Sequence, residues 1–196
     1  MIKLIEHLKN GGVVVYQTET AYAIGCDATN QKAVDLVFIM KKRLKKYTLP
    51  LIAESLDMIK KFCQMSDAEE HLAKKYWPGA LTMVLKVASN QLAKGIVAKD
   101  ETVAVRVSGN KMARELSRRL GQPIVSTSAN LHGNGECYSL SEVRKHFGCH
   151  SDPALDAVEE SLVMLDGGVL EKRKPSTIVK IVNGKIKILR QGEIKI

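Results

Sequence analysis

The segment from Ile178 to Arg190 limits the fold more than any other part of the chain. Ile178–Val182 is a β-branched run, Asn183-Gly184 follows, and Lys185–Arg190 returns. An Asn-Gly pair between two strands favours the type I′ turn, whose two central residues both need positive φ. A terminal antiparallel hairpin is therefore predicted, and any fold proposed must contain a sheet.

The rest of the chain mixes both periodicities. Residues 2–10 read as a short amphipathic helix stopped by Gly11-Gly12, and Val13-Val14-Val15-Tyr16 as a buried strand. Over 31–42, Ala33, Leu36, Val37 and Met40 fall on one helical face. Leu49–Ala53 reads as a strand, and 55–63 and 66–76 as helices, the second ended by Trp77-Pro78-Gly79. Leu81–Val87 and Thr102–Val107 read as strands. Residues 110–120 form a helix with Ala113, Leu116 and Leu120 inward and Gly121 as its stop. A short strand over Pro123–Ser126, a helix near 139–147 and a strand near 161–165 complete the pattern. Interspersed helices and strands with a terminal hairpin predict an α/β fold built on a mixed sheet. The stretch 131–138, rich in Gly, Asn and His, reads as either a lid over a site or a surface loop.

At 196 residues, without an internal repeat or low-complexity linker, the chain is expected to form one domain over 1–196. No apolar run approaches the roughly 18 residues that span a membrane. The N-terminus lacks the pattern of a signal peptide, so a cytoplasmic, unprocessed protein is expected. The four cysteines, Cys26, Cys63, Cys137 and Cys149, form no C-x-x-C unit and suit free thiols in a reduced compartment. Cys137, His146, Cys149 and His150 match no zinc spacing, so no metal-ligating set is assigned. The formal charge of +9 favours anionic partners such as nucleotides or nucleic acid.

Walker, dinucleotide-binding, serine-elbow and zinc-helix motifs are all absent. What remains is a series of polar and cationic segments. Gln17-Thr18-Glu19-Thr20-Ala21-Tyr22 follows the first strand, where open α/β sheets bind ligands; the same hydroxyls also suit plain turn chemistry. Lys41-Lys42-Arg43-Leu44-Lys45-Lys46 carries five cations, more than helix capping requires. Trp77-Pro78-Gly79-Ala80-Leu81-Thr82 reads first as an aromatic turn packed on the core. Arg106 ends a strand of buried character, and its planar fork suits a carboxylate ligand. Ser126-Thr127-Ser128-Ala129-Asn130 offers hydroxyls and an amide to a polar ligand. Lys174-Pro175-Ser176-Thr177-Ile178-Val179 precedes Arg190 on the returning strand.

Taken in order, these segments resemble the YrdC-like family, whose pattern runs P-T-E-T-x-Y-G, K-x-R, W-P-G-x-L-T, T-V-A-V-R, S-A-N and P-S-T-I-V with a later arginine. Here they stand as QTETAYAIG, KKR, WPGALT, TVAVR, SAN and PSTIV, spread over nearly the whole chain. The resemblance implies a twisted mixed sheet, antiparallel and parallel, with surrounding helices and a basic concave cleft. It also implies an L-threonylcarbamoyladenylate synthase of the short form, a nucleotidyltransferase acting on L-threonine, bicarbonate and ATP with magnesium. Its product would serve threonylcarbamoyl-adenosine modification of tRNA through separate transfer proteins.

By position, Lys41 and Arg43 would meet the ATP phosphates as the catalytic cations. Thr102, Ser128, Asn130, Glu136 and Arg190 would line the nucleotide site. Thr18, Thr20, Tyr22, Arg106, Ser126 and Ser176 would form the threonine site, with Arg106 on the carboxylate. The chain departs from the pattern at Gln17, Ala23, Leu44, Tyr47, Thr48, Ser108 and Asn110. One alternative is a paralogue that binds tRNA or double-stranded RNA without synthase activity, gripping phosphates with Lys41–Lys46 and the helix bearing Arg114, Arg118 and Arg119. Another is an enzyme of the same fold that handles carbamoyl phosphate.

Overall fold

The computed structural model describes residues 1–44, 46–131, 133–147 and 161–196. Cys149 and His150 of the cysteine–histidine cluster lie outside the described residues, as does Lys45 of the cationic run.

The opening helix α1 (Ile2–Lys9) leads into β1 (Val13–Gln17), as the pattern predicts. β1 then pairs antiparallel with β2 (Tyr22–Gly25), a strand its own sequence did not announce. The β1–β2 connection, Thr18–Ala21, is closed by the Thr18 amide donating to the Ala21 carbonyl at 3.0 Å. β1 is buried on both faces. Val13 and Val15 pack with α2 (Gln31–Met40), while Val14 and Tyr16 pack toward α1 and α5 (Lys111–Leu120). A strand covered on both sides needs an unbroken apolar run, which Val13–Tyr16 supplies.

The remaining elements are β3 (Leu51–Ala53), α3 (Leu56–Phe62), β4 (Cys63–Gln64), α4 (Asp67–Tyr76), β5 (Leu81–Val87), β6 (Thr102–Val107), β7 (Ile124–Val125), β8 (Thr127–Ser128), α6 (Leu140–Phe147), β9 (Leu162–Met164), β10 (Thr177–Val182) and β11 (Lys185–Arg190). α5 carries Ala113, Leu116 and Leu120 inward as its spacing requires. Asn110 caps its start by accepting from the Met112 and Ala113 amides at 2.8 and 3.2 Å. Gly121, at φ 75°, closes its end in the left-handed conformation that favours glycine. Asn183 and Gly184 both have positive φ, 51° and 73°, as the type I′ turn demands.

The described strands form two mixed sheets rather than the single sheet expected. One has the order β8-β2-β1-β9, and the other runs β11-β10-β5-β6-β3-β7, with β4 paired to β5. The division is made by one residue. β7 belongs to the larger sheet and β8 to the smaller, and Ser126 alone separates them. The chain therefore changes sheets at Ser126, where its amide donates to the Pro50 carbonyl at 2.8 Å. No described helix is long and apolar enough to cross a membrane.

Candidate active site

The two sheets diverge from Ser126 and leave a cavity of about 390 Å³ between them, within the range of small-molecule sites. The smaller sheet supplies Thr18, Thr20, Tyr22 and Ser128 to its wall. The larger sheet supplies Thr82, Arg106 and Ser176 at one end, and Val84, Ala104 and Ile178 further along. Strand register explains this grading. Val84 faces Ala104 across β5 and β6, and Thr82 faces Ile178 across β5 and β10. Alternate residues of one strand share a face, so Thr82 with Val84 and Ala104 with Arg106 line the same surface. Three arginines, Arg43, Arg106 and Arg190, meet one carboxylate, Glu136, on that wall.

Arg106 is 6 % exposed. Its Nε lies 3.3 Å from Glu19 Oε1. Neither atom has a hydrogen-bond partner, so this is an ion pair without an aligned N–H. Glu19 is held on its other oxygen by the Ser108 hydroxyl. Burial pushes the Glu19 carboxyl up, but Arg106 and Ser108, with the Gly109 backbone, outweigh it and hold it below the usual range. Ser108 therefore steadies the partner of Arg106, although it departs from the family pattern. Among the described residues, no hydrogen bond engages the Nη nitrogens of Arg106.

The hydroxyls around Arg106 are fixed locally. Thr18 Oγ1 donates to the Ala21 carbonyl at 2.8 Å and lies 3.1 Å from Thr20 Oγ1. Thr82 and Ser176 share a hydrogen bond of 2.8 Å. Arg190 donates from Nε and Nη2 to the Ser176 carbonyl at 3.1 and 2.7 Å. Arg43 is anchored in the same manner, with Nε on the Tyr47 carbonyl at 3.1 Å and Nη2 on the Thr48 carbonyl at 2.9 Å. Both anchors of Arg43 are backbone atoms, so the unusual side chains at 47 and 48 leave them in place. Burial pulls the Arg43 and Arg190 guanidinium pKa values down, and Glu136 beside Arg190 counters this. Burial also pushes the Glu136 carboxyl up, against the pull of Arg190.

The structure brings Thr18, Thr20, Tyr22, Arg43, Arg106, Ser126, Ser128, Glu136, Ser176 and Arg190 onto one wall. Three sequence-assigned residues stand off it. Thr102 lies at the far end of β6, about 13 Å along the strand from Arg106, with its hydroxyl donating to Asp100 at 2.7 Å. Lys41 and Asn130 are buried behind the wall and bond to each other. Tyr22 lines the cavity with its hydroxyl engaged elsewhere, donating to the Gly168 carbonyl at 2.7 Å and accepting from the Gly167 amide at 2.9 Å. Thr82 and Glu19 were not assigned from sequence. Thr82 reads in sequence as part of a core-packing turn, and register with β10 brings it to the cavity; Glu19, in the β1–β2 connection, is brought beside Arg106 by tertiary packing. The stretch 131–138 is no plain surface loop: Cys137 is buried and Glu136 reaches the cavity.

Among the described residues, no group of three or more His, Cys, Asp or Glu side chains could hold a metal. Cys26, Cys63 and Cys137 are free thiols and buried. On α5, Arg118 and Arg119 pair with Glu115 at 2.7 and 2.5 Å, and Arg114 donates to the Ser108 carbonyl at 2.5 Å. These three arginines are engaged within their own neighbourhood.

The Sua5_yciO_yrdC family model, described as "Telomere recombination", matches residues 6–192. The chain belongs to the Sua5/YciO/YrdC family. A threonylcarbamoyl-AMP synthase of Marinobacter nauticus is 32% identical over 89% of this chain and 87% of its own length. The protein of that name from Buchnera aphidicola is 33% identical over 91% of this chain and 97% of its own. Among solved structures, P. abyssi Sua5 complexed with L-threonine superposes with a TM-score of 0.86 at 27% identity, over 97% of this chain. The chain spans about half of that larger protein, 53% of its length. E. coli YciO gives a TM-score of 0.79 at 25% identity, covering 97% of this chain and 87% of the other.

Proposed function

We propose that the protein is a threonylcarbamoyl-AMP synthase, joining L-threonine, bicarbonate and ATP and releasing pyrophosphate. The observation that carries this reading is the buried Arg106, facing the cavity among the hydroxyls of Thr18, Thr20, Ser126 and Ser176. A guanidinium edge beside several hydroxyls suits a small hydroxylated amino acid, with the carboxylate on the arginine fork. The relatives named threonylcarbamoyl-AMP synthase support the same conclusion.

The chemistry needs no protein nucleophile. The threonine amine and bicarbonate form a carbamate with loss of water. A carbamate oxygen then bonds to the α-phosphorus of ATP, and the bond to the β-phosphate oxygen breaks with its electrons leaving on pyrophosphate. Negative charge grows on phosphate oxygens in this step, and fixed positive charge stabilises it. Arg43 and Arg190 serve here. Each is held from behind by backbone carbonyls and keeps its Nη1 unengaged among the described residues. Ser128 adds a hydroxyl to the same side. Magnesium bound with ATP takes most of its oxygens from phosphate and water, and Glu136, a carboxylate on the cavity lining, would be the protein group to join them. The ion would share the charge on the reacting phosphates. The threonylcarbamoyl group then passes to adenosine in tRNA through separate transfer proteins.

The test is incubation of the pure protein with ATP, bicarbonate and labelled L-threonine. Pyrophosphate and a labelled adenylate are expected. Absence of both across a magnesium series would overturn the synthase reading. Carbamoyl phosphate is the contrasting ligand: ATP with L-threonine raises the melting temperature by mass action, and carbamoyl phosphate leaves it unchanged.

A further inference from the structure

The Lys41 side chain is the most constrained cation among the described residues. It follows α2 as its C-cap and is 1 % exposed. Its Nζ donates to the Ser128 carbonyl at 2.5 Å, to the Asn130 carbonyl at 2.7 Å and to Asn130 Oδ1 at 3.1 Å. An ammonium has three protons to donate, and all are placed. The network continues outward from Asn130. Its Oδ1 also accepts from the Ser128 hydroxyl at 2.7 Å, and its Nδ2 donates to the Asn134 and Gly135 carbonyls at 2.5 and 2.8 Å. Ser128 at one end of this network and Glu136, next in the chain after Gly135 at the other, line the cavity, while Lys41 and Asn130 do not.

We propose that Lys41 is a positioning residue: it pins Ser128 and Asn130, and through Asn130 the Asn134–Gly135 backbone that leads into Glu136, without itself touching the nucleotide. The assignment of Ser128 and Glu136 to the nucleotide rests on the synthase reading, but the pin itself does not. For Nζ to reach a phosphate it would have to release three acceptors, two of them in buried bonds to Asn130. Burial, with Arg43 nearby, pulls the Lys41 pKa down to about 7, and Cys137 is the other titratable group acting on it. The three acceptors work the other way, since bonds to the charged form favour it.

The test is Lys41→Met, which keeps the chain length and removes every donor. In the ligand-free protein, amide exchange at Ser128–Leu131 and Gly133–Glu136 should rise at least tenfold. ATP affinity should fall at least tenfold, while L-threonine affinity, set by Arg106 on β6, stays within twofold. Unchanged exchange together with lost ATP affinity would make Lys41 a phosphate ligand and overturn the proposal. If the variant does not fold, the wild type decides. At pH 6 its Lys41 ¹⁵Nζ signal should be that of a slowly exchanging ammonium and should stay in place at saturating ATP. A fast-exchanging Nζ without ligand, or a large shift on adding ATP, overturns the pin. A wild type that binds neither ATP nor L-threonine sinks the synthase reading alone, because amide exchange and the Nζ exchange rate of the ligand-free protein are read without either.

Discussion

The two sides of the cavity are built differently. On one side Arg106, Thr82 and Ile178 project from β6, β5 and β10, whose ladders fix the direction of each side chain. On the other, Arg43 and Glu136 stand outside the strands, Arg43 on backbone carbonyls and Glu136 after a Gly135 carbonyl held by Asn130, while Ser128, paired with Ala23 in the smaller sheet, is tied further by Lys41. The difference decides where sequence change is absorbed. On the strand side, Ser108 departs from the family pattern, yet it donates to Glu19 and so steadies the pair behind Arg106. On the loop side, Tyr47 and Thr48 depart from the pattern, yet Arg43 is anchored by their backbone carbonyls. Lys41 and Asn130 match the pattern, and there the identity of each side chain is what holds the wall.

The comparison is broken most directly at Arg106. Arg106→Ala should lower threonine-dependent pyrophosphate release about 100-fold or more, since one member of a buried charged pair is lost and Glu19 is stranded. Arg106→Lys should rescue little, because an ammonium lacks the planar fork. Retention of wild-type turnover in Arg106→Ala would remove the threonine site from this strand.

Ser108→Ala asks whether the strand side depends on the support behind it. The Glu19 carboxylate loses its hydroxyl donor, at a cost of about 1.5–3 kcal/mol for a bond to a charged group. The expected result is a raised KM for threonine with ATP affinity unchanged, measured by titrating each ligand separately. Equal weakening of both would show that the two sides are not independent.

Gly192→Ala probes the backbone beneath Ser176. A Cβ at Gly192 would stand 2.0 Å from the Pro175 carbonyl oxygen and 2.6 Å from the Ser176 carbonyl carbon. Relieving that overlap should cost about 1–3 kcal/mol, read as a lower denaturant midpoint. A midpoint equal to the wild type would mean the segment shifts freely.

The smallest effect separates the sides by pH. Lys41 is expected to have a folded pKa near 7, far below that of the free side chain. Between about pH 7 and 8.5 the unfolded chain keeps a proton that the folded chain gives up, so stability rises with pH by about 1–2 kcal/mol. Lys41→Met should flatten that slope in equilibrium denaturation. Above about pH 9 the slope reverses, because burial raises the thiols of Cys26, Cys63 and Cys137, the last two to about 12 and about 11.

Much of the fold could be read directly. Thr102–Val107 and Leu81–Val87 carry the same bounds in sequence and structure, and α5 has its inward face and glycine stop as read. β2 escaped because Tyr-Ala-Ile-Gly shows no alternation after a polar turn. β4 and β8 have two residues each, too short for any period, whereas β7 (Ile124–Val125) falls within the short strand read over Pro123–Ser126. In the candidate site, Arg106 could be read because an arginine in a buried strand demands a partner. Thr82 could not, since its neighbour Ser176 is 94 residues away.

By itself the sequence determined the helices, the long strands, the terminal hairpin and the family, because each depends on residues within a few positions or on ordered motifs. The tertiary structure decided that the strands form two sheets parting at Ser126. It also decided which cation faces the cavity. Lys41 and Arg43 stand two positions apart, yet one lines the wall and the other locks the chain 87 and 89 residues on. Local periodicity fixes the face from which a side chain leaves its element; only the partners brought there by the rest of the chain fix what its charge meets.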